Sequence, residues 1–176
     1  MVFFSFILLL LFVFILFSIV FYSWRNGISP MPSSAQAVSC ILQAIPKEME
    51  GKIVDVGSGW GTLIFPLAKR FPRCRVVGYE NSPIPYFFTK IRQFLRPLPN
   101  LEIFRRNFYD EPMQEIDLVV CYLYPGAMQV LRSKLVNELR EGALIISNTF
   151  ALPQHKPLRI YELNDLYKTK IYVYQI

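Results

Sequence analysis

The chain begins with 21 residues that carry no charged side chain, Val2 to Tyr22 (VFFSFILLLLFVFILFSIVFY), and no later stretch has that character. At ~1.5 Å rise per residue a helix of this length covers roughly the 30 Å of a bilayer core. After it the pattern breaks into short blocks. Asn26 to Ser34 (NGISPMPSS) is a turn-rich linker. Apolar residues at Ala37, Ile41 and Ala44 then predict a helix over 35–44, capped by Ser33 or Ser34. Beyond it, short β-branched runs alternate with helical segments. The runs predict strands over 52–56, 75–80, 101–104, 116–122 and 143–147. Between them the pattern predicts a helix from the glycine turn at Gly57 to about Arg70, a second to Leu95, and a third over 127–139. Asn81-Ser82-Pro83 starts the second and Pro97 and Pro99 end it; Gly142 is the stop signal of the third. The tail adds strands over 158–162 and 169–175, where Ile171 and Val173 alternate with Tyr172 and Tyr174 as an antiparallel partner would. Strands alternating with helices predict an α/β domain, a mostly parallel sheet of seven strands closed by a hairpin. The chain divides into an apolar segment with its flank (1–25), a linker and first helix (26–50) and the sheet domain (51–176).

The apolar segment has three readings. A cleaved signal peptide needs a basic n-region, an apolar run of about 7–15 residues and a small-residue cleavage site, none of which is present. A buried core helix this uniformly apolar leaves little room in so small a domain. A single-pass membrane anchor fits: Tyr22 and Trp24 suit the aromatic belt and Arg25 the charged flank. Every charged side chain follows residue 24, and the formal net charge is +6. That excess places the domain on the cytoplasmic side and holds it near anionic headgroups. No Lys/Arg run with interleaved aromatics marks a nucleic-acid groove. Cys40, Cys74 and Cys121 are far apart in apolar runs and read as reduced, packed thiols. With a single histidine, no ligand spacing points to a metal.

Composition says little about chemistry; Lys52 to Ala68 (KIVDVGSGWGTLIFPLA) says more. A buried strand ends at Asp55 and Val56, and Gly57, Ser58, Gly59 and Gly61 make the turn that follows. Glycine lets a backbone bend sharply and lets a ligand approach its N–H groups. Glu80 closes the next strand, 25 residues after Asp55, where its two oxygens can accept both hydroxyls of a ribose. This is the nucleotide-binding corner of a doubly wound fold. A dinucleotide fingerprint places its third glycine five positions after the first; here that position is Thr62, and the third glycine falls one earlier. The spacing therefore favours S-adenosylmethionine (SAM) over NAD.

The glycine turn, the Asp two positions before it and the later acid resemble the first motif of the class I SAM-dependent methyltransferases, a Rossmann-like family with a seven-stranded sheet. That resemblance implies a SAM site made by Asp55, Gly57, Ser58, Gly59, Gly61, Glu80 and Asn81, with Ser82 beside them. It also places Asn107 and Phe108 beside the adenine, though Asn107 equally suits a turn cap and the family often carries Asp there. After the fourth strand, amine-directed members often carry Asn/Asp-Pro-Pro-aromatic. This chain has Cys121-Tyr122-Leu123-Tyr124-Pro125, in which Tyr122 and Tyr124 either line an alkylamine channel with cation–π attraction or simply pack. Ser147 to Pro153 should overhang the same rim. His155, just beyond, is either a solvated loop histidine or a base.

Closer still, the single apolar segment, Pro32-Ser33-Ser34, the glycine turn, Gly78-Tyr79-Glu80-Asn81 and Ser147-Asn148-Thr149-Phe150 with Pro153 resemble the membrane-anchored protein lysine methyltransferases of the ATP synthase c-subunit type and their bacterial relatives. The resemblance implies a protein lysine as acceptor and, in a eukaryotic cell, the mitochondrial inner membrane. A lipid, quinone or other hydrophobic small molecule suits the anchor equally, and a non-catalytic SAM-binding scaffold is the third possibility.

Overall fold

The computed structural model describes residues 2–176. Its elements, in order, are α1 (Val2–Asn26), α2 (Ala35–Ala44), β1 (Gly51–Val56), α3 (Ile64–Arg70), β2 (Cys74–Tyr79), α4 (Pro83–Leu95), β3 (Leu101–Phe104), a 3₁₀ turn (Phe108–Asp110), β4 (Leu118–Cys121), α5 (Pro125–Glu138), β5 (Leu144–Asn148), β6 (Arg159–Glu162) and β7 (Lys170–Gln175). The strands form one seven-stranded sheet in the order β3-β2-β1-β4-β5-β7-β6. The first five run parallel, and β7 lies antiparallel to both β5 and β6. The predicted α/β class, strand number and terminal hairpin all hold.

The central strands β1, β2, β4 and β5 are buried on both faces, as their continuous apolar runs require, while the edge strand β6 is largely exposed. Ile53, Val76, Leu118, Val120 and Ile146 meet α2 and α3 on one side. Val54, Val77, Val119 and Ile145 meet Met128, Leu131 and Leu135 of α5 on the other. β7 is covered on both sides as well: Ile171 and Val173 join the first layer and the fully buried Tyr174 the second.

Several boundaries differ from expectation, each for a local reason. α3 does not begin in the glycine turn. Gly57, Gly59 and Gly61 have φ of +85°, +52° and +74°, outside the right-handed helical region, so the helix starts only at Ile64. Ser34, not Ser33, caps α2, its hydroxyl accepting from the Ala37 N–H at 3.1 Å. β4 is shorter than expected at both ends: it pairs with β1 only over Leu118–Cys121, and Tyr122 has already left the sheet. α5 starts two residues early, at Pro125, where the fixed proline φ suits a first turn. It ends before Leu139, and Gly142, at φ +84°, turns the chain into β5 instead of capping the helix. α1 continues to Asn26, past the expected boundary at residue 25.

Candidate active site

β1 lies between β2 and β4, and chain connections leave it in opposite directions, so a crevice opens beyond its C-terminal end. The glycine turn floors that crevice. The Gly57 and Ser58 N–H groups donate to the Tyr79 carbonyl at 2.9 and 3.0 Å, which ties the turn to β2. A Cβ at Gly59 would meet nothing nearer than the Gly57 carbonyl oxygen at 3.9 Å, so the space above the turn is open to a ligand. A Cβ at Gly61 would fall 2.9 Å from Thr89 and 3.0 Å from Phe65; that glycine lets α4 and α3 close on the turn.

Two carboxylates converge here. Glu80 is nearly buried, and its two oxygens accept from the Gly59 N–H at 2.8 Å and the Ser82 N–H at 2.7 Å. Each oxygen keeps acceptor capacity for a ligand. Asp55 is 4% exposed and lines the same cavity as Glu80. Burial, reinforced by the Glu80 charge, pushes its pKa up to about 7. Among the described residues the Ser58 hydroxyl has no partner; it is buried beneath the turn, 3.0 Å from where a Cβ of Gly78 would stand. A cationic ligand that also carries hydroxyls matches the two carboxylates, as SAM does.

These residues line a cavity of about 400 Å³, within the range of small-molecule sites. Its other wall is the end of α1 and the linker. Tyr22, Arg25 and Asn26 reach it from the apolar helix. Asn26 and Asn81 exchange a reciprocal pair of amide hydrogen bonds, 2.8 and 3.0 Å, and Asn26 also donates to Ser82 at 3.1 Å. The linker then crosses as a strap. The Pro30 carbonyl accepts from Trp60 Nε1 at 2.6 Å, and the Ser33 N–H donates to Thr62 Oγ1 at 3.1 Å. Asn148, at the end of β5, donates to the Ser33 hydroxyl at 3.3 Å. The Pro-Ser-Ser and Ser-Asn-Thr-Phe segments singled out in the sequence thus meet at the rim.

The structure brings Asp55, Gly57, Ser58, Gly59, Glu80, Asn81, Asn107, Phe108, Tyr122 and Tyr124 to this one cavity. Several of them already have partners within the protein. The Asn81 amide is engaged with Asn26. Asn107 caps the 3₁₀ turn, its carbonyl accepting from the Tyr109 N–H at 3.4 Å and its amide donating to Asp110 at 3.1 Å. Tyr122 stacks on Phe150, centroids 6.3 Å apart. The Tyr124 ring lies 2.5 Å from where a Cβ of Gly27 would stand, so it is also the packing partner of the strap's first turn. Gly61 lies behind the cavity, and His155 is outside it, edge-on to Tyr174 at 5.9 Å. Sequence reasoning missed Tyr22, Asn26, Trp60, Thr62 and Tyr109. Tyr109 donates to the Ala127 carbonyl at 3.0 Å, and burial, with smaller contributions from Tyr124 and Cys121, pushes its pKa up to about 12. The available signal was the Pro32–Ser34 stretch, which marked the linker without indicating where it docks.

A seven-stranded sheet of this order, with a glycine turn after β1 and an acid after β2, defines a class I SAM-dependent methyltransferase. A solved structure agrees on the fold: the RNA methyltransferase from Salinibacter ruber in complex with S-adenosyl-L-homocysteine superposes with a TM-score of 0.73 at 23% identity, over 83% of this chain and 94% of that one. Residues 55–159, more than half of the chain, match the family described as the ANTKMT methyltransferase domain, and the chain belongs to that family. Among curated relatives it is 24% identical over 141 residues to a protein-lysine N-methyltransferase of Saccharolobus islandicus, covering 77% of this chain and 84% of the relative. It is 26% identical over 129 residues to the lysine N-methyltransferase of the ATP synthase c-subunit from Mus musculus and, over the same length, to the mouse adenine nucleotide translocase lysine N-methyltransferase. These matches cover 72% and 73% of this chain but only 51% and 56% of the mouse proteins, so the chain spans about half their length.

Proposed function

We propose that this protein is a membrane-anchored methyltransferase that moves a methyl group from SAM to a lysine amine of a membrane or membrane-proximal protein. The observation that carries the reading is the shared cavity wall: Tyr22, Arg25 and Asn26, at the end of the apolar helix, line the same cavity as the glycine turn. With α1 across a bilayer, that cavity opens at the membrane surface, and the domain stands on the cytoplasmic side. Lysine as acceptor is supported by the names of the archaeal and mouse relatives. Residues 1–25 form the anchor, 26–50 the strap and first helix, and 51–176 the catalytic domain.

In this reading Gly57, Ser58 and Gly59 present backbone to the cofactor, Glu80 accepts from its ribose, and Asp55 faces its positive end. Asn107 and Phe108 border the adenine, Asn81 holds the Glu80 loop through Asn26, and Gly61 closes the turn against α4. Tyr122 and Tyr124 line the passage of the acceptor. Bound SAM would supply an activated methyl for in-line displacement by a deprotonated amine, and the residues just named would hold it. The protein's part is alignment and water exclusion, which an in-line displacement needs more than a strong acid. The test is transfer of radiolabelled methyl by the full chain in nanodiscs to a membrane preparation. Label on a protein lysine, absent with Gly59→Arg, supports the reading. Label in the lipid extract replaces the acceptor, and a folded chain that binds no SAM overturns the assignment.

A further inference from the structure

Helix α4 presents a second apolar surface that the domain leaves uncovered. Phe87, Phe88, Ile91, Phe94 and Leu95 follow the i, i+1, i+4, i+7, i+8 spacing of one helical face. All five are exposed, Phe94 by 85% and Leu95 by 71%. The opposite face is directed inward: Pro85 and Thr89 are buried, and the Thr89 hydroxyl donates to the Gly59 carbonyl at 2.9 Å. Lys90 on the helix and Arg96 just after it flank the stripe, Arg92 being turned inward over the Phe65 ring at 4.2 Å, and no acidic residue interrupts the segment. Scattered exposed apolar side chains need no explanation, but five on one stripe do. An apolar stripe with basic flanks is the pattern of a helix lying in a membrane interface.

Its position selects the occupant. α4 contacts α1. Asn26, the last residue of α1, bonds Asn81 and Ser82, which lead into α4. On α1 the covered or half-covered positions are Ile15, Ser18, Ile19, Tyr22, Ser23 and Asn26, one helical face over the last turns, and the rest of those turns stay exposed. The α4 stripe therefore lies beside the part of α1 that enters the bilayer. Trp60 meets Phe88 edge-on at 5.5 Å, which carries the apolar patch to the rim of the cavity.

We infer that the apolar face of α4 is seated in the headgroup–acyl boundary of the bilayer that α1 spans, so that two contacts hold the cavity mouth against the membrane plane. The inference rests on the reading of α1 as an anchor. Seating α4 beside α1 fixes the domain's tilt, and the acceptor amine then enters from the membrane surface rather than from bulk solvent. Lys90 and Arg96 face phosphate, and the five apolar side chains leave water.

The test uses the full chain with Cys40→Ser, since Cys74 and Cys121 are buried. A single cysteine is introduced as Phe94→Cys or, at the exposed β6–β7 hairpin, Leu166→Cys, and carries an environment-sensitive fluorophore. Each protein is reconstituted in phosphatidylcholine–phosphatidylglycerol vesicles with or without nitroxide-labelled lipid. Both label positions are exposed in the folded protein, so neither substitution threatens the core. The expected result is co-flotation with the vesicles and quenching of the Phe94 label about threefold or more stronger than that of the Leu166 label. Co-flotation with both labels equally unquenched overturns the α4 contact and leaves the anchor standing. Failure to co-float overturns the anchor and the α4 contact together.

Discussion

The two walls of the cavity are built differently. On one side, Gly57 to Gly61 and Glu80 are held by backbone groups: the Glu80 carboxylate accepts from Gly59 and Ser82, and the Tyr79 carbonyl accepts from Gly57 and Ser58. The glycine turn and Glu80 all lie within 25 residues of Asp55. On the other side, Asn26, Pro30 and Ser33 find partners 29 to 115 residues away, and several of those bonds join side chain to side chain. The first wall is held by bonds to backbone groups over a short stretch of chain, whereas the second depends on the end of α1 staying docked. Cofactor affinity should therefore depend on the first wall and presentation of the acceptor on the second.

Variants on each wall can break that division. The largest effect is expected from Gly59→Arg, which fills the open space over the turn. SAM affinity should fall about a thousandfold or more, roughly 4 kcal/mol, while the far-ultraviolet circular dichroism stays native. Retained affinity by titration calorimetry would remove the glycine turn from the site.

Next is the pH dependence that Asp55 imposes. Its pKa is raised from 3.8 to about 7, first by burial and second by Glu80. The folded, ligand-free protein therefore keeps a proton that the unfolded chain releases above about pH 4. Stability should fall as pH rises from about 4 to 7 and level off above, by as much as ~4 kcal/mol. Asp55→Asn should flatten that slope in denaturant melts. Because a cation beside the carboxylate favours its ionised form, SAM should bind more tightly as pH rises through 7. A pH-independent affinity would place the cofactor's charge elsewhere.

Glu80→Gln keeps an acceptor for one backbone N–H and loses the charge. A hydrogen bond to a charged group contributes about 1.5–3 kcal/mol, so SAM affinity should weaken about 10- to 100-fold. The opposite wall should behave otherwise. Tyr124→Ala should lower turnover about tenfold, through lost alignment, with SAM affinity changed less than about threefold. Equal losses in both would make Tyr124 part of the cofactor site. Asn26→Ala, which breaks the pair with Asn81, should cost about 1 kcal/mol of stability and raise KM for the acceptor while leaving SAM binding intact. A loss of SAM affinity matching that of Glu80→Gln would mean that the strap, too, is cofactor machinery.

What could be read from the residues follows the same division. The glycine turn, Asp55 and Glu80 were legible because a ligand-binding turn imposes backbone requirements within a few residues. The start of α3 was not, because positive φ at three glycines delays a helix that apolar periodicity alone would begin sooner. Asn107 was legible as either a cap or an adenine contact; its carbonyl accepts from the Tyr109 N–H while the residue also lines the cavity. His155 drew attention only as the single histidine, and packing puts it beside Tyr174. The α4 stripe was visible as letters, yet an exposed apolar face and a buried one have the same spacing until the rest of the fold is in place.

The long apolar helix, the order of strands and helices, and the cofactor turn are encoded locally, since hydropathy and glycine backbone freedom act over a few neighbouring residues. That Asn26 pairs with Asn81, that Ser33 meets Asn148, and that Tyr124 closes on Gly27 emerges only in the folded chain. Those contacts depend on surfaces that become complementary once the sheet has formed, and no local pattern encodes which distant side chain will stand opposite.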